Sequence, residues 1–155
     1  MHLHFNYELL LKPAAKNATL IVRKNLNNNI VVLKLFPGIT EEVVKSILNI
    51  KNLKGIVLET YGSGNAPTYP WFINLLEEAI LNGIQIVNVT QCVGGSVILG
   101  HYETSVALKR IQVIDGKDIT TESAVAKLMY LLGEKISNTE FKKVFEKPLR
   151  GELDF

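Results

Sequence analysis

A chain of 155 residues with 47% hydrophobic and 21% charged side chains is long enough to bury one core and has the composition of a globular domain. Lysine and arginine number 17 against 15 acidic residues, and they are scattered, which leaves neither a nucleic-acid footprint nor a polybasic membrane patch. No apolar run approaches the roughly 20 residues a bilayer requires, the opening "MHLHFNYELLLK" lacks the pattern of a secretion signal, and the single cysteine, Cys92, excludes an internal disulfide, so a reducing cytoplasm away from membranes is the expected setting.

In chain order, "KNLNNNI" (Lys24 to Ile30) reads as an asparagine-rich surface turn. "IVVLKLF" (Ile30–Phe36) follows as the first buried strand. Thr40 is placed to cap a helix whose first turn holds Glu41 and Glu42, favourable against the positive end of the helix dipole, with Val43, Val44, Ile47 and Leu48 on one face. "GIVLET" (Gly55–Thr60) is the second strand. Phe72, Leu75, Leu76, Ala79 and Ile80 mark the next helix, which Gly83 is placed to end. "IQIVNVT" (Ile84–Thr90) is the third strand, and "IQVI" (Ile111–Ile114) a weaker fourth. Thr120 can cap a helix carrying Val125, Leu128, Met129 and Leu132 inward. "SNTE" (Ser137 to Glu140) is a capping-box pattern opening a last helix with Phe141, Val144 and Phe145, stopped before Pro148.

Alternating strands and helices predict a Rossmann-like three-layer α/β/α fold around a mainly parallel four-stranded sheet, with right-handed crossovers. Ligands in such sheets sit beyond the carboxyl ends of the strands. Two polar stretches fall there, "ETYGSGNAP" (Glu59 to Pro67) and "TQCVGGSV" (Thr90 to Val97), and neighbouring strands would bring them to one edge.

The chemistry available in those loops is limited. "GSGNAP" begins as G-x-G, but Pro67 stands where a dinucleotide fingerprint needs its third glycine, and the loop follows the second strand rather than the first. No Gly-Lys-Ser/Thr segment exists for a P-loop. Cys92 could act as a nucleophile only with a histidine in reach, and the three histidines are His2, His4 and His101, the last at a helix start. The plainer reading makes Cys92 a small buried hydrophobe at a strand end. Ser63, Thr90 and Ser96 have no base nearby in sequence, and no cluster of metal ligands or cofactor motif is present. Gly62 and Gly64 allow positive φ and close backbone approach, and Asn65 offers one acceptor and two donors, suited to an amide or carboxylate. The alternative is a glycine turn that merely closes a strand–helix junction.

"LETYGSGNAPTYPWFINLLEEAILNGIQIVNVTQCVGGSV" resembles the C-terminal domain of L-asparaginases of the cytosolic type I branch, in which a strand runs into Tyr/Phe-Gly-x-Gly-Asn-Ala/Gly-Pro and a later strand into Asn-x-Thr-Gln-Cys. "LKLFPGI" and "LRGEL" extend the likeness over Asn29 to Leu153. The resemblance implies residues 1–28 as an interdomain linker and 29–155 as the C-terminal α/β domain. It places the catalytic machinery, a nucleophilic threonine after Thr-Gly-Gly-Thr and a Thr-Asp…Lys set, in an N-terminal domain. Thr-Gly-Gly does not occur here, and the adjacent Thr120 and Thr121 precede a helix, so this chain is expected to contain no catalytic residue and to be inactive alone.

Two roles carry over from the family. Asn65, shaped by Gly62 and Gly64, would reach the active site of a neighbouring subunit and contact L-asparagine. Thr90 and Cys92 correspond to part of a regulatory asparagine site found in some bacterial members. Those members carry an arginine where this chain has Glu59, and a carboxylate there would repel the effector's own carboxylate. The expected partners are the N-terminal catalytic domain and further copies in a homodimer or homotetramer. A free-standing small-molecule binding module, or the asparaginase-like subunit of a tRNA-dependent amidotransferase, are the other readings of the same pattern.

Overall fold

A computed structural model describes residues 19, 21–100, 103–134 and 136–153. Four strands, β1 (Ile30–Lys34), β2 (Gly55–Thr60), β3 (Gln85–Thr90) and β4 (Ile114–Asp115), form one sheet in the order β1-β2-β3-β4. Every pairing is parallel, with Thr60 beside Thr90 at the carboxyl end of the two central strands. The consecutive order leaves no reversal point among these four strands. It is the shared carboxyl edge of β2 and β3 that brings the two polar loops together.

The period-two alternation of the strands decides the layers. Leu33, Leu35, Ile56, Leu58 and Ile86 face one way, packing on Val44 of α1 (Glu41–Leu48), Phe72 and Leu76 of α2 (Pro70–Leu81) and Leu108 of α3 (Glu103–Arg110). Val57, Val87, Val89 and Ile114 face the other way, against Leu128 and Leu131 of α4 (Thr121–Gly133) and Phe141 and Phe145 of α5 (Asn138–Phe145). With both faces covered, the central strands read as almost unbroken apolar runs, and the three-layer α/β/α fold expected from the sequence is present.

The helix ends follow local chemistry. Thr40 accepts from the Val43 N–H at 3.4 Å and Thr120 from the Ser123 N–H at 3.3 Å. Gly83, at φ +85°, closes α2 through Gly83 N–H to the Ile80 carbonyl and Ile84 N–H to the Ala79 carbonyl. At α5 the expected capping box does not form, because the Ser137 hydroxyl bonds the Glu140 carboxylate directly at 2.8 Å and caps no backbone N–H.

The weak fourth strand lies later than expected. Ile111 and Gln112 belong to the close of α3, with the Gln112 N–H on the Lys109 carbonyl and the Val113 N–H on the Leu108 carbonyl. Gln112 takes the left-handed conformation, φ +68°, that a glycine would have announced. Only Ile114 and Asp115 remain for β4.

Two tethers run along α4. The Asn27 N–H donates to the Met129 carbonyl at 3.0 Å, and a Cβ on Gly133 would lie 1.8 Å from the Asn25 oxygen, so the chain before β1 already rests on the domain. At the other end, Lys127, 5% exposed, meets the Glu152 carboxylate at 2.6 Å and the Lys147 carbonyl at 2.7 Å, with the Phe145 ring beneath its ammonium. Glu152 also accepts the Leu149 N–H at 2.9 Å and the Arg150 N–H at 2.6 Å. Among the described residues no helix is long and apolar enough to cross a membrane.

Candidate functional site

Beyond β2 the chain makes a tight turn. Tyr61 and Asn65 pair across it, Tyr61 N–H to Asn65 carbonyl at 2.9 Å and Asn65 N–H to Tyr61 carbonyl at 2.8 Å. Both glycines inside it need positive φ, +49° at Gly62 and +101° at Gly64. Gly64 is also required by packing, since a Cβ there would lie 2.7 Å from Val97 Cγ1 and 3.1 Å from Asn88 Nδ2.

A buried polar strut holds this turn to the sheet. Thr60 and Asn88 are fully buried, the Thr60 hydroxyl donates to Asn88 Oδ1 at 2.7 Å, and Asn88 Nδ2 donates to the Gly64 carbonyl at 3.3 Å. The Thr90 hydroxyl donates to the Gly62 carbonyl and accepts the Cys92 N–H at 3.0 Å. Gln91 Nε2 crosses to the Leu35 carbonyl at 2.7 Å and the Glu59 carbonyl at 2.9 Å, stitching the ends of β1, β2 and β3. The Ile98 N–H returns to the Ser63 carbonyl at 3.0 Å. In the buried part of this network, at Thr60 and Asn88, every side-chain polar atom has a partner, and such a satisfied strut fixes the geometry of the loop.

The turn opens onto a groove of about 690 Å³, bounded by the β1–α1 loop at Phe36 to Glu41, by Tyr61 and Asn65 to Trp71, and by Thr104 of α3. Asn65 is half-buried in its wall. Its Oδ1 accepts the Thr104 hydroxyl at 2.6 Å, and among the described residues its Nδ2 donates to nothing. The groove rim is apolar, with Phe36 51% and Tyr69 60% exposed and Tyr69 stacked on Trp71. The arrangement offers an amide donor and a shaped groove, and among the described residues no nucleophile–base pair is seen in it.

Of the other candidate residues, Thr90 and Cys92 touch and Glu59 stands apart from them. Glu59 leaves the sheet on the α4 face, where Lys34 Nζ lies 3.2 Å from its carboxylate and the Thr121 hydroxyl donates to it at 2.6 Å. Thr90 leaves on the opposite face, its hydroxyl already occupied inside the loop. Cys92 is exposed, not the buried hydrophobe expected of it, because the Thr90 side chain takes the Cys92 N–H and turns the chain outward as soon as β3 ends. His2, His4 and His101 lie outside the described residues. Among the described residues no group of three or more His, Cys, Asp or Glu converges for a metal ion.

The sequence reading passed over the strut and the Thr104 contact. Asn88 carried a signal, being an amide in the middle of a Val-rich strand where a buried polar group must find a partner. Thr104 carried none, since it meets Asn65 from 39 positions away.

Residues 29–145 match the glutaminase/asparaginase C-terminal domain family, and the chain belongs to it. It is 40% identical over 134 residues to L-asparaginase 1 of Escherichia coli, covering 86% of this chain and 39% of that protein. It is 39% identical over 149 residues to a 60 kDa lysophospholipase of Mus musculus, covering 96% of this chain and 26% of that protein. The crystal structure of L-asparaginase I from Vibrio cholerae superposes with a TM-score of 0.77 at 40% identity, over 82% of this chain and 38% of that one. The chain thus spans between a quarter and two fifths of the length of these relatives.

Proposed function

We propose that this chain is the C-terminal part of a cytoplasmic enzyme that hydrolyses L-asparagine to L-aspartate and ammonia, its task being to present Asn65 to substrate held by a neighbouring subunit. The observation that carries this reading is the Asn65 amide: it stands on a turn clamped by Tyr61, Gly64 and Asn88, at the wall of an open groove, and among the described residues its Nδ2 has no acceptor. A free amide donor suits the carboxylate or carboxamide oxygens of asparagine. The nucleophilic threonine and its proton-handling partners belong, in this reading, to an N-terminal domain, and the exposed Phe36 and Tyr69 beside the groove suit a contact between copies in a homodimer or homotetramer.

An asparagine effector pocket around Glu59, Thr90 and Cys92 does not belong to the proposal. The Glu59 carboxylate is already held by Lys34 and Thr121 and would repel a ligand carboxylate, while Thr90 faces away from it and has spent its one donor hydrogen on the Gly62 carbonyl.

The test uses ammonia release from L-asparagine. This chain alone is expected to release none, and an enzyme-like rate from it would overturn the reading. In the complete protein, Asn65→Ala is expected to raise KM about tenfold or more, the loss of one hydrogen bond to a charged group, while the thermal midpoint stays in place.

A further inference from the structure

We propose that Thr104 is the positioning residue for Asn65, and that it sets the site to receive an acceptor oxygen rather than a donor group. This rests on the reading of Asn65 as a substrate contact.

The backbone of Asn65 is fixed by its paired hydrogen bonds to Tyr61. Nothing in that pairing orients the side-chain amide, whose terminal torsion is soft and roughly two-fold. Its one hydrogen bond among the described residues comes from the Thr104 hydroxyl, donated to Oδ1 at 2.6 Å. Thr104 stands in the first turn of α3, which is anchored independently: the neighbouring Ser105 is fully buried and its hydroxyl accepts the Gly100 N–H at 3.0 Å, and Leu108 is sealed in the core. A side chain on a seated helix therefore reaches across to a side chain on the turn and holds the amide in the orientation seen, with Oδ1 engaged and, among the described residues, Nδ2 open.

The chemical consequence is directional. With Oδ1 occupied, what Asn65 offers is Nδ2–H, a donor. A ligand carboxylate or carbonyl oxygen is satisfied there, whereas an ammonium would meet a second donor and lose a hydrogen bond. Were the amide free to turn over, half its orientations would present oxygen to the same place.

Two measurements test this. Side-chain 15N relaxation of the Asn65 amide in this chain is expected to show a rigid group in the wild type and in Thr104→Ser, and a mobile one in Thr104→Val. In the complete protein, Thr104→Val is expected to raise KM for L-asparagine roughly three- to tenfold, the range for losing a neutral hydrogen bond, with kcat and thermal midpoint unchanged, and Thr104→Ser to restore the wild-type KM. An amide that stays as rigid in Thr104→Val, or a Thr104→Val defect confined to thermal midpoint and kcat, would overturn the proposal. If the wild-type complete protein does not hydrolyse asparagine, the functional reading fails, while the relaxation experiment still decides whether Thr104 holds the amide.

Discussion

Removing the carboxylate of Glu152 should destabilise this domain well beyond an ordinary surface change. In Glu152→Gln the Lys127 ammonium, 5% exposed, keeps the Lys147 carbonyl and the Phe145 ring but loses the charge 2.6 Å away that compensated its burial. Breaking a buried pair by deleting one partner costs about 3–5 kcal/mol. Because the Glu152 side chain keeps 16% of its exposure and water can relax part of the loss, about 3 kcal/mol is the expected value. For a domain of this size each kcal/mol lowers the thermal midpoint by about 2–4 °C, so the drop should be roughly 6–12 °C. Pairing it with Lys127→Met removes the orphaned charge and lets an unbranched apolar chain lie over Phe145, so the double variant should recover most of the loss. Thermal unfolding of the four proteins at neutral pH, followed by circular dichroism, completes the cycle. An Glu152→Gln midpoint within about 2 °C of wild type, or a double variant as unstable as the sum of the singles, would refute the coupling. The pH dependence has a defined sign. Burial alone would raise the Glu152 carboxyl, but Lys127 and the Leu149 and Arg150 N–H groups outweigh it and hold it at about 2 against an ordinary 4.5. Its contribution is therefore present above about 4.5 and is lost as pH falls from there toward 2.

Two further outcomes follow from the site geometry. Gly64→Ala adds a Cβ in a left-handed backbone and against Val97, and should cost roughly 2–4 kcal/mol in urea unfolding, whereas Gly62→Ala, with its nearest atom 3.6 Å away, should cost only about 1–2 kcal/mol; equal costs would contradict the packing at Gly64. Cys92, being exposed, should react in the native protein with one equivalent of a thiol reagent such as dithiobisnitrobenzoate at close to the rate of the unfolded chain, and full protection would contradict its placement.

The sequence by itself determined what depends on short-range pattern. The strand Gly55–Thr60, the threonine caps at Thr40 and Thr120 and the glycine stop at Gly83 all rest on periodicity and capping over a few positions, and all are found where those rules put them. The motif around Asn65 was legible for the same reason, since a turn written with glycines advertises its own backbone. The pattern failed where a residue did a job its type does not announce: Gln112 taking a glycine's place shortened β4, and Ser137 turned to Glu140 instead of the backbone. What only the tertiary structure decided are the partners. Whether Glu59 is a free charge, whether Cys92 is covered, and which way Asn65 points depend on Thr121, Thr90 and Thr104, side chains that reach them only after the sheet has aligned its carboxyl ends and the helices have packed upon it. Hydrogen bonds act over about 3 Å, and contacts that close only on folding leave no periodic trace in the chain.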